Sequence, residues 1–124
     1  MKRRLLVTED DPLLMALYKS SLKDLDGFEI TYAPSLEAAR QLLATEQFEM
    51  ALLDLNLHSA HGHEGFELLT DLRRTQRSAV VMMSSDDDEE TIAECARLGA
   101  LAFVPKHQGF ARKLPEVVRQ AVTA

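Results

Sequence analysis

The chain has 124 residues, of which 46% are apolar and 27% are charged, as expected for one globular domain. Its net charge of −6 argues against nucleic acid as a direct partner, because phosphate backbones bind basic surfaces. The one cysteine, Cys95, excludes an internal disulfide, and no apolar stretch has the length of a signal-peptide core or a membrane span. We therefore expect one cytoplasmic domain over residues 1–124 that does not contact a membrane.

Strand and helix patterns alternate along the chain. Short unbroken apolar runs predict buried parallel strands, and apolar residues at helical spacing predict the helices between them. The predicted strands are β1 (Arg4–Thr8), β2 (Glu29–Ala33), β3 (Met50–Asp54), β4 (Ala79–Ser84) and β5 (Ala102–Pro105). The predicted helices are α1 (Pro12–Leu25), α2 (Ser35–Glu46), α3 (Gly65 or Phe66 to Arg74), α4 (about 88–98) and α5 (from about Leu114). The residues predicted to form the buried face of α1 are Leu13, Leu14, Leu17, Tyr18, Leu22 and Leu25.

This alternation predicts an α/β fold. Right-handed crossovers between parallel strands place helices on both faces of one sheet. The natural solution is a flavodoxin-like, doubly wound, five-stranded parallel sheet with the strand order 2-1-3-4-5. In that order β1 and β3 are neighbours, and their carboxyl ends open into one crevice.

Polar residues follow the predicted strands at that end of the sheet. Glu9 and Asp10 follow β1, and Asp54, Ser84 and Lys106 stand at or just after the ends of β3, β4 and β5. Ligands of open α/β sheets bind there. Two carboxylates 4 Å apart repel by roughly 4 kcal/mol at an effective dielectric constant of about 20. A hard divalent cation would offset that repulsion.

Four motifs carry a resemblance to a known family. They are Leu6-Val7-Thr8-Glu9-Asp10, Leu52-Leu53-Asp54-Leu55-Asn56, Met82-Met83-Ser84-Ser85 and the run from Gly99 to Lys106. Each motif is a weak signal alone, but all four occur in the order and at the spacing of one family. The chain resembles a receiver domain of the two-component response regulators over essentially its whole length.

The resemblance implies a role for each site residue. Asp54 would accept a phosphoryl group from a sensor histidine kinase or a histidine phosphotransfer protein. Glu9, Asp10 and Asp54 would hold Mg²⁺ together with the backbone carbonyl of Asn56. The residues expected to contact the phosphoryl group are Ser84 and Lys106, and the expected switch residues are Ser84 and Phe103. The switch would change an α4–β5–α5 face for a downstream output protein or domain, and the resemblance leaves open a homodimer formed on phosphorylation.

Two nearby residues have simpler interpretations. Asp11 stands before Pro12, where capping of α1 is the favoured role over metal binding. Ser84 and Ser85 are adjacent, and side chains alternate along a strand, so only one of them can face the crevice. We expect that residue to be Ser84.

The chain departs from the family pattern in the β3–α3 connection. His58 stands where the family usually has proline, and the sequence that fits the start of α3 begins at Gly65, which indicates a three-residue insertion. His58, His61 and His63 lie in this connection, where a transition-metal site is the less favoured alternative to a solvated loop. His107 follows Lys106 in place of the usual proline, so we expect a trans peptide bond there.

Other functions fit less well. A haloacid-dehalogenase phosphatase would need Asp-x-Asp on the first strand, whereas this chain has Asp54-Leu55-Asn56 on the third. A flavin or nucleotide carrier would need a phosphate-binding loop after β1, where Glu9-Asp10-Asp11 would repel phosphate. A degenerate receiver that acts without phosphorylation remains the main rival. The domain either acts alone through protein contacts or belongs to a longer chain, and we expect it to catalyse only its own phosphorylation and dephosphorylation.

Overall fold

The computed structural model describes residues 2–56 and 64–123, and the strands in them form one parallel sheet. The strand order is β2-β1-β3-β4-β5, which confirms the predicted doubly wound topology. The strands are β1 (Arg3–Thr8), β2 (Phe28–Ala33), β3 (Met50–Asp54), β4 (Ala79–Ser84) and β5 (Ala102–Pro105). The last three have the predicted bounds, and the first two begin one residue earlier than predicted.

Helices connect the strands and cover both faces of the sheet. They are α1 (Pro12–Leu22), α2 (Leu36–Thr45), α3 (Glu64–Asp71), α4 (Glu89–Arg97) and α5 (Leu114–Thr123). Asp11 caps α1, because its Oδ1 accepts hydrogen bonds from the backbone N–H groups of Leu13 (2.8 Å) and Leu14 (3.4 Å). This bond pattern confirms the capping role predicted for Asp11. None of the helices in the described residues is long and apolar enough to cross a membrane.

The sheet separates two apolar layers, because successive strand residues point to opposite faces. Leu5 and Val7 of β1 lie in the layer under α1 and α5, whereas Leu6 lies in the layer under α2, α3 and α4. The central strand β3 is buried along its whole length. A strand buried on both faces must be apolar throughout, which is why β3 reads as one continuous apolar run that ends at Asp54.

The predicted buried face of α1 is wrong in part. Leu13 and Leu17 are 70% and 47% exposed, while Met15, Tyr18 and Leu22 are buried. At 3.6 residues per turn, positions 15, 18 and 22 share one side of the helix, and positions 13 and 17 fall outside it. Because the apolar residues follow one another without a break, their pattern did not separate the buried positions of α1 from the exposed ones.

Two predicted helix ends differ from the structure by more than one residue. α1 ends at Leu22 rather than Leu25, and α3 gives way to a π-helical turn at Leu72–Gln76 rather than ending at Arg74. That turn closes with Arg77, whose backbone N–H donates to the carbonyl of Leu72. The predicted start of α5 at Leu114 is confirmed, and a 3-10 turn at Phe110–Lys113 precedes it.

The start of α3 lies within the described residues. α3 begins at Glu64, next to the predicted Gly65, so the prediction of its start is confirmed. The predictions about His58, His61 and His63 lie outside the described residues. The described residues contain no cis peptide bond, which confirms the expectation for Lys106–His107.

Candidate functional site

An acidic cleft of about 350 Å³ lies at the carboxyl end of the sheet. It opens where β1 and β3 run side by side, and residues of the β5–α5 connection line part of it. Its lining residues are Glu9, Asp10, Asp11, Leu14, Asp54, Asn56, Ser85, Lys106 and Phe110. The predicted residues that it brings together are therefore Glu9, Asp10, Asp54, Asn56 and Lys106.

Backbone contacts on both sides fix Asp54 at the end of β3. Its backbone N–H donates to the hydroxyl of Thr8 on β1 (2.9 Å), and the N–H of Leu55 donates to the carbonyl of Met83 on β4 (2.9 Å). Gly65 at the start of α3 packs against the same segment, where a Cβ atom would lie 2.7 Å from the carbonyl oxygen of Asp54. Only glycine fits this approach, so α3 begins directly against the backbone of Asp54.

Three carboxylates converge in the cleft. One oxygen each from Glu9, Asp10 and Asp54 lies within 4.8 Å of the others. Glu9 and Asp54 are buried, with 1% and 3% of their surface exposed. Buried carboxylates at this spacing repel strongly unless a cation joins them. The donor set is all carboxylate oxygen, which fits Mg²⁺, a hard cation that takes oxygen ligands in octahedral geometry.

Lys106 supplies positive charge to the same cluster. Its Nζ lies 2.7 Å from Oε1 of Glu9 and 3.1 Å from Oδ1 of Asp54, and its side chain is only 11% exposed. The lysine thus bridges the carboxylates that end β1 and β3 from the end of β5. This contact explains how two buried acidic residues coexist in the folded protein.

The pKa values of the two bridged carboxyl groups are shifted in opposite directions. Burial raises the pKa of Asp54 to about 7, because the charge of Lys106 offsets only part of the desolvation and of the repulsion from Glu9. Burial also acts to raise the pKa of Glu9, but hydrogen bonds from Lys106 and Tyr18 outweigh it and hold that pKa below its ordinary value. Glu9 is therefore the ionised partner of Lys106 in the metal-free protein at neutral pH, while Asp54 is part-protonated.

Asn56 lies beside the phosphoacceptor candidate. Its backbone N–H donates to Oδ1 of Asp54 (3.2 Å), and the residue is half-buried at the edge of the cleft. The role predicted for its backbone carbonyl as a metal ligand stays a prediction.

The two serines at the end of β4 differ in their surroundings. Ser85 lines the cleft, whereas Ser84 is 1% exposed and its hydroxyl accepts a hydrogen bond from the backbone N–H of Asp86 (2.9 Å). Ser84 is the last residue of β4, and its hydroxyl contacts the backbone of the loop that follows. This bond uses the hydroxyl oxygen of Ser84 only as an acceptor, and the role of its O–H group toward a group on Asp54 stays a prediction.

Phe103 lies on β5, apart from the cleft. Its side chain is half-buried and packs against the apolar layer under α4. It also lines a groove of about 300 Å³ between β5 and α5, with Leu101, Val104 and Val117. This placement is at the predicted α4–β5–α5 face, and the switching of Phe103 remains a prediction.

Tyr18 is the site residue that the sequence analysis missed. Its hydroxyl donates to Oε1 of Glu9 (2.6 Å) from the second turn of α1, and its side chain is fully buried. Burial and the adjacent Glu9 carboxylate raise the pKa of Tyr18 far above its ordinary value, so the phenol stays protonated. The hydroxyl of a buried tyrosine usually has a hydrogen-bond partner. The predicted burial of Tyr18 in α1 was therefore a signal that its hydroxyl would contact a polar group.

Comparisons with known proteins agree with this geometry. The family model described as the response regulator receiver domain matches residues 5–119. The transcriptional regulatory protein MalR of Bacillus subtilis is 34% identical over 110 residues, which cover 86% of this chain and 45% of MalR. The chain thus spans less than half the length of that curated relative.

Solved structures show the same fold. A response regulator from Thermotoga maritima has a TM-score of 0.83 at 20% identity, and the match covers all of both chains. A CheY-like response regulator receiver domain protein from Methanospirillum hungatei has a TM-score of 0.83 at 22% identity, covering 99% of this chain and 95% of the other. From the extent of the family match and the acidic cluster that ends β1 and β3, we conclude that this chain belongs to the family of response regulator receiver domains.

Proposed function

We propose that this domain is a phosphorylation-dependent signalling switch in which Asp54 accepts a phosphoryl group. The donor is a phosphohistidine on a sensor histidine kinase or a histidine phosphotransfer protein. The observation that carries the proposal is the position of Asp54, which lies with Glu9, Asp10 and Lys106 in one cleft. A buried carboxylate that lies beside a lysine and beside other carboxylate oxygens able to bind a metal ion suits phosphoryl transfer better than a purely structural role.

The transfer needs an ionised Asp54. A carboxylate oxygen attacks phosphorus, the P–N bond to the histidine breaks, and the bonding electrons return to the imidazole. Lys106 lies 3.1 Å from Oδ1 of Asp54, close enough to stabilise negative charge on the incoming phosphoryl oxygens. Apart from the attack by the Asp54 carboxylate itself, catalysis rests on positioning and charge. Receiver domains that serve transcriptional regulators are generally not classical enzymes, and we propose that this one catalyses only its own phosphorylation and dephosphorylation.

Glu9, Asp10 and Asp54, with the backbone carbonyl of Asn56, would hold Mg²⁺. When bound, the ion supplies charge neutralisation for the phosphoryl oxygens and keeps Asp54 ionised. The protein's own contribution is the rigid spacing of these oxygens at the ends of β1 and β3. Since metal ligands must be deprotonated, the raised pKa of Asp54 predicts weaker Mg²⁺ binding below about pH 7.

Mg²⁺ is expected to stabilise the wild-type fold, and Asp10→Asn is expected to abolish that effect. A ligand of the native state at a hundred times its Kd raises the free energy of unfolding by about 2.7 kcal/mol. The measurement is the melting temperature with MgCl₂ and with a chelator. Asp26→Asn, in the exposed α1–β2 turn, is the control and should respond like the wild type. An equal Mg²⁺ effect in the Asp10→Asn variant would contradict the assignment.

We further propose that phosphorylation changes the α4–β5–α5 face through Ser84 and Phe103. The hydroxyl of Ser84 would leave the N–H of Asp86 and turn toward the phosphoryl group, and Phe103 would then move inward behind β4. The phosphoryl group shifts the equilibrium between the two arrangements only through contacts that differ between them. The coupling free energy in such cases is typically about 1–3 kcal/mol. The groove between β5 and α5 would form part of the surface that an output protein or domain reads.

Ser84→Ala is expected to keep Mg²⁺ binding but to lose most of the change at residues 90–105. The test compares amide NMR spectra with and without beryllofluoride, which mimics the phosphoryl group. The wild type and a Ser85→Ala control should show the same large shifts at these residues. Shifts of equal size in the Ser84→Ala variant would exclude the switch role of Ser84 and leave the role of Asp54 standing.

The output partner is proposed by analogy and from charge. MalR is a transcriptional regulatory protein, so we propose a transcriptional output that acts through a protein or domain surface. The net charge of −6 supports a protein partner rather than direct nucleic-acid contact by these 124 residues. A homodimer formed on phosphorylation through the α4–β5–α5 face is part of the same proposal. A degenerate receiver would show no Mg²⁺-dependent phosphorylation with acetyl phosphate, and that assay distinguishes the two functions.

A further inference from the structure

The hydroxyl of Tyr18 is held against the acidic cluster by the packing of its ring. The ring lies in the apolar layer between the sheet and helices α1 and α5, with no exposed surface. It meets the ring of Phe110 edge to face, with centroids 5.8 Å apart and planes at 77°. Because these contacts fix the ring, the hydroxyl cannot turn away from Glu9, to which it donates at 2.6 Å.

Glu9 has the most flexible side chain of the three carboxylates in the cluster. A glutamate has one more rotatable bond than Asp10 or Asp54, and it loses more conformational freedom when it is held in one position. Its Oε1 accepts from both Tyr18 and Lys106, and its Oε2 accepts from the backbone N–H of Asp11 (3.2 Å). Tyr18 is thus the neutral side-chain donor to a carboxylate that is 99% buried.

The two donors to Oε1 of Glu9 differ in what else they contact. Lys106 is shared with Asp54, at 3.1 Å, and in the proposed function it would turn to a phosphoryl oxygen. Tyr18 donates to Glu9 alone among the described hydrogen bonds and is enclosed by the core. The tyrosine would therefore continue to hold Glu9 after Lys106 has turned to the phosphoryl group.

We infer that Tyr18 is a positioning residue of the metal site: its hydroxyl fixes one carboxylate oxygen of Glu9 and thereby sets the affinity of the cluster for Mg²⁺. This inference rests on the proposed function. It follows the general behaviour of metal sites, in which partners that orient a ligand typically change metal affinity by about 10–100-fold when they are removed.

The test is a double-mutant cycle on Mg²⁺ binding by the whole chain, measured by calorimetric titration with MgCl₂. Tyr18→Phe removes only the hydroxyl and should weaken binding about tenfold. In a Glu9→Gln background the same change should alter the Kd by less than about twofold, because Tyr18 acts through the Glu9 carboxylate. Tyr32→Phe, at the half-buried second tyrosine of the chain, is the matched control and should bind like the wild type.

The outcomes separate this inference from the proposed function. Wild-type affinity in Tyr18→Phe, or an equal loss in both Glu9 backgrounds, would overturn the positioning role while the metal site stands. A wild type that binds no Mg²⁺ would overturn both. Should Tyr18→Phe not fold, the wild type labelled at its tyrosines gives the answer by NMR. The Tyr18 resonances should shift on addition of MgCl₂ and those of Tyr32 should not, and unchanged Tyr18 resonances would overturn the inference.

Discussion

Asp54→Asn is expected to abolish phosphorylation of this chain completely. With acetyl phosphate and Mg²⁺ the wild type should gain the mass of one phosphoryl group, because Asp54 ends the central strand in the cleft that it shares with Glu9, Asp10 and Lys106. The amide of asparagine cannot attack phosphorus as a carboxylate oxygen does. The measurement is the intact mass of both proteins after the same incubation.

Asp11→Asn is the matched control for this experiment. Asp11 also lines the cleft, but its carboxylate caps α1, and asparagine caps a helix about as well as aspartate. The control should therefore be phosphorylated like the wild type. The fold of the Asp54→Asn variant should be intact, because Lys106 keeps Glu9 as its partner and the substitution removes a buried charge that Glu9 repels. A phosphoryl group on the Asp54→Asn protein would show that another residue accepts it.

Lys106→Met is expected to destabilise the metal-free protein by about 3–5 kcal/mol at about pH 8. The lysine joins two buried carboxylates, and breaking a buried ion pair by removing one partner typically costs that much. Methionine has a similar unbranched stem, so the loss comes mainly from charge. The measurement is the free energy of unfolding in denaturant with a chelator present. Lys113→Met, at an exposed position, is the control and should change stability by less than about 0.5 kcal/mol.

The destabilisation should depend on pH in a defined direction. The folded-state pKa of Asp54, about 7, lies above its ordinary value of 3.8. The protonated carboxyl of Asp54 therefore contributes to the free energy of unfolding in full below pH 3.8, and this contribution is lost as the pH rises through about 7. Glu9 has the opposite dependence, because its lowered pKa gives stability above 4.5 that is lost as the pH falls. At about pH 5.5 Asp54 is mostly protonated even with Lys106 present, so the substitution leaves one buried charge fewer without its partner there, and the loss should be smaller than at pH 8. An equal loss at both pH values would contradict this account.

Much of the fold could be predicted from the sequence because its strands are buried on both faces. β3, β4 and β5 were predicted with their exact bounds, since apolar runs bounded by polar residues define where a buried strand ends. The same reasoning placed Glu9, Asp10, Asp54 and Lys106 at one edge of the sheet, and the structure brings them together.

The errors share a physical cause, which is that a linear pattern does not report side-chain direction. Leu13 and Leu17 extend an apolar run in α1, yet they face outward because the helix turns them away from the sheet. Tyr18 was counted as a core residue, and its hydroxyl contact with Glu9 depends on a packing geometry that spacing alone does not contain.

The most direct test of the central claim is to locate the phosphoryl group on the wild-type chain. Borohydride reduction of the acyl phosphate, formed with acetyl phosphate and Mg²⁺, converts the modified aspartate into homoserine, which peptide mass spectrometry identifies. We predict one modified residue, Asp54, and no modification when a chelator removes Mg²⁺. Modification of Asp11 instead, or a phosphoryl group mapped directly to His58, His61 or His63, would contradict the assignment of Asp54 as the phosphoacceptor.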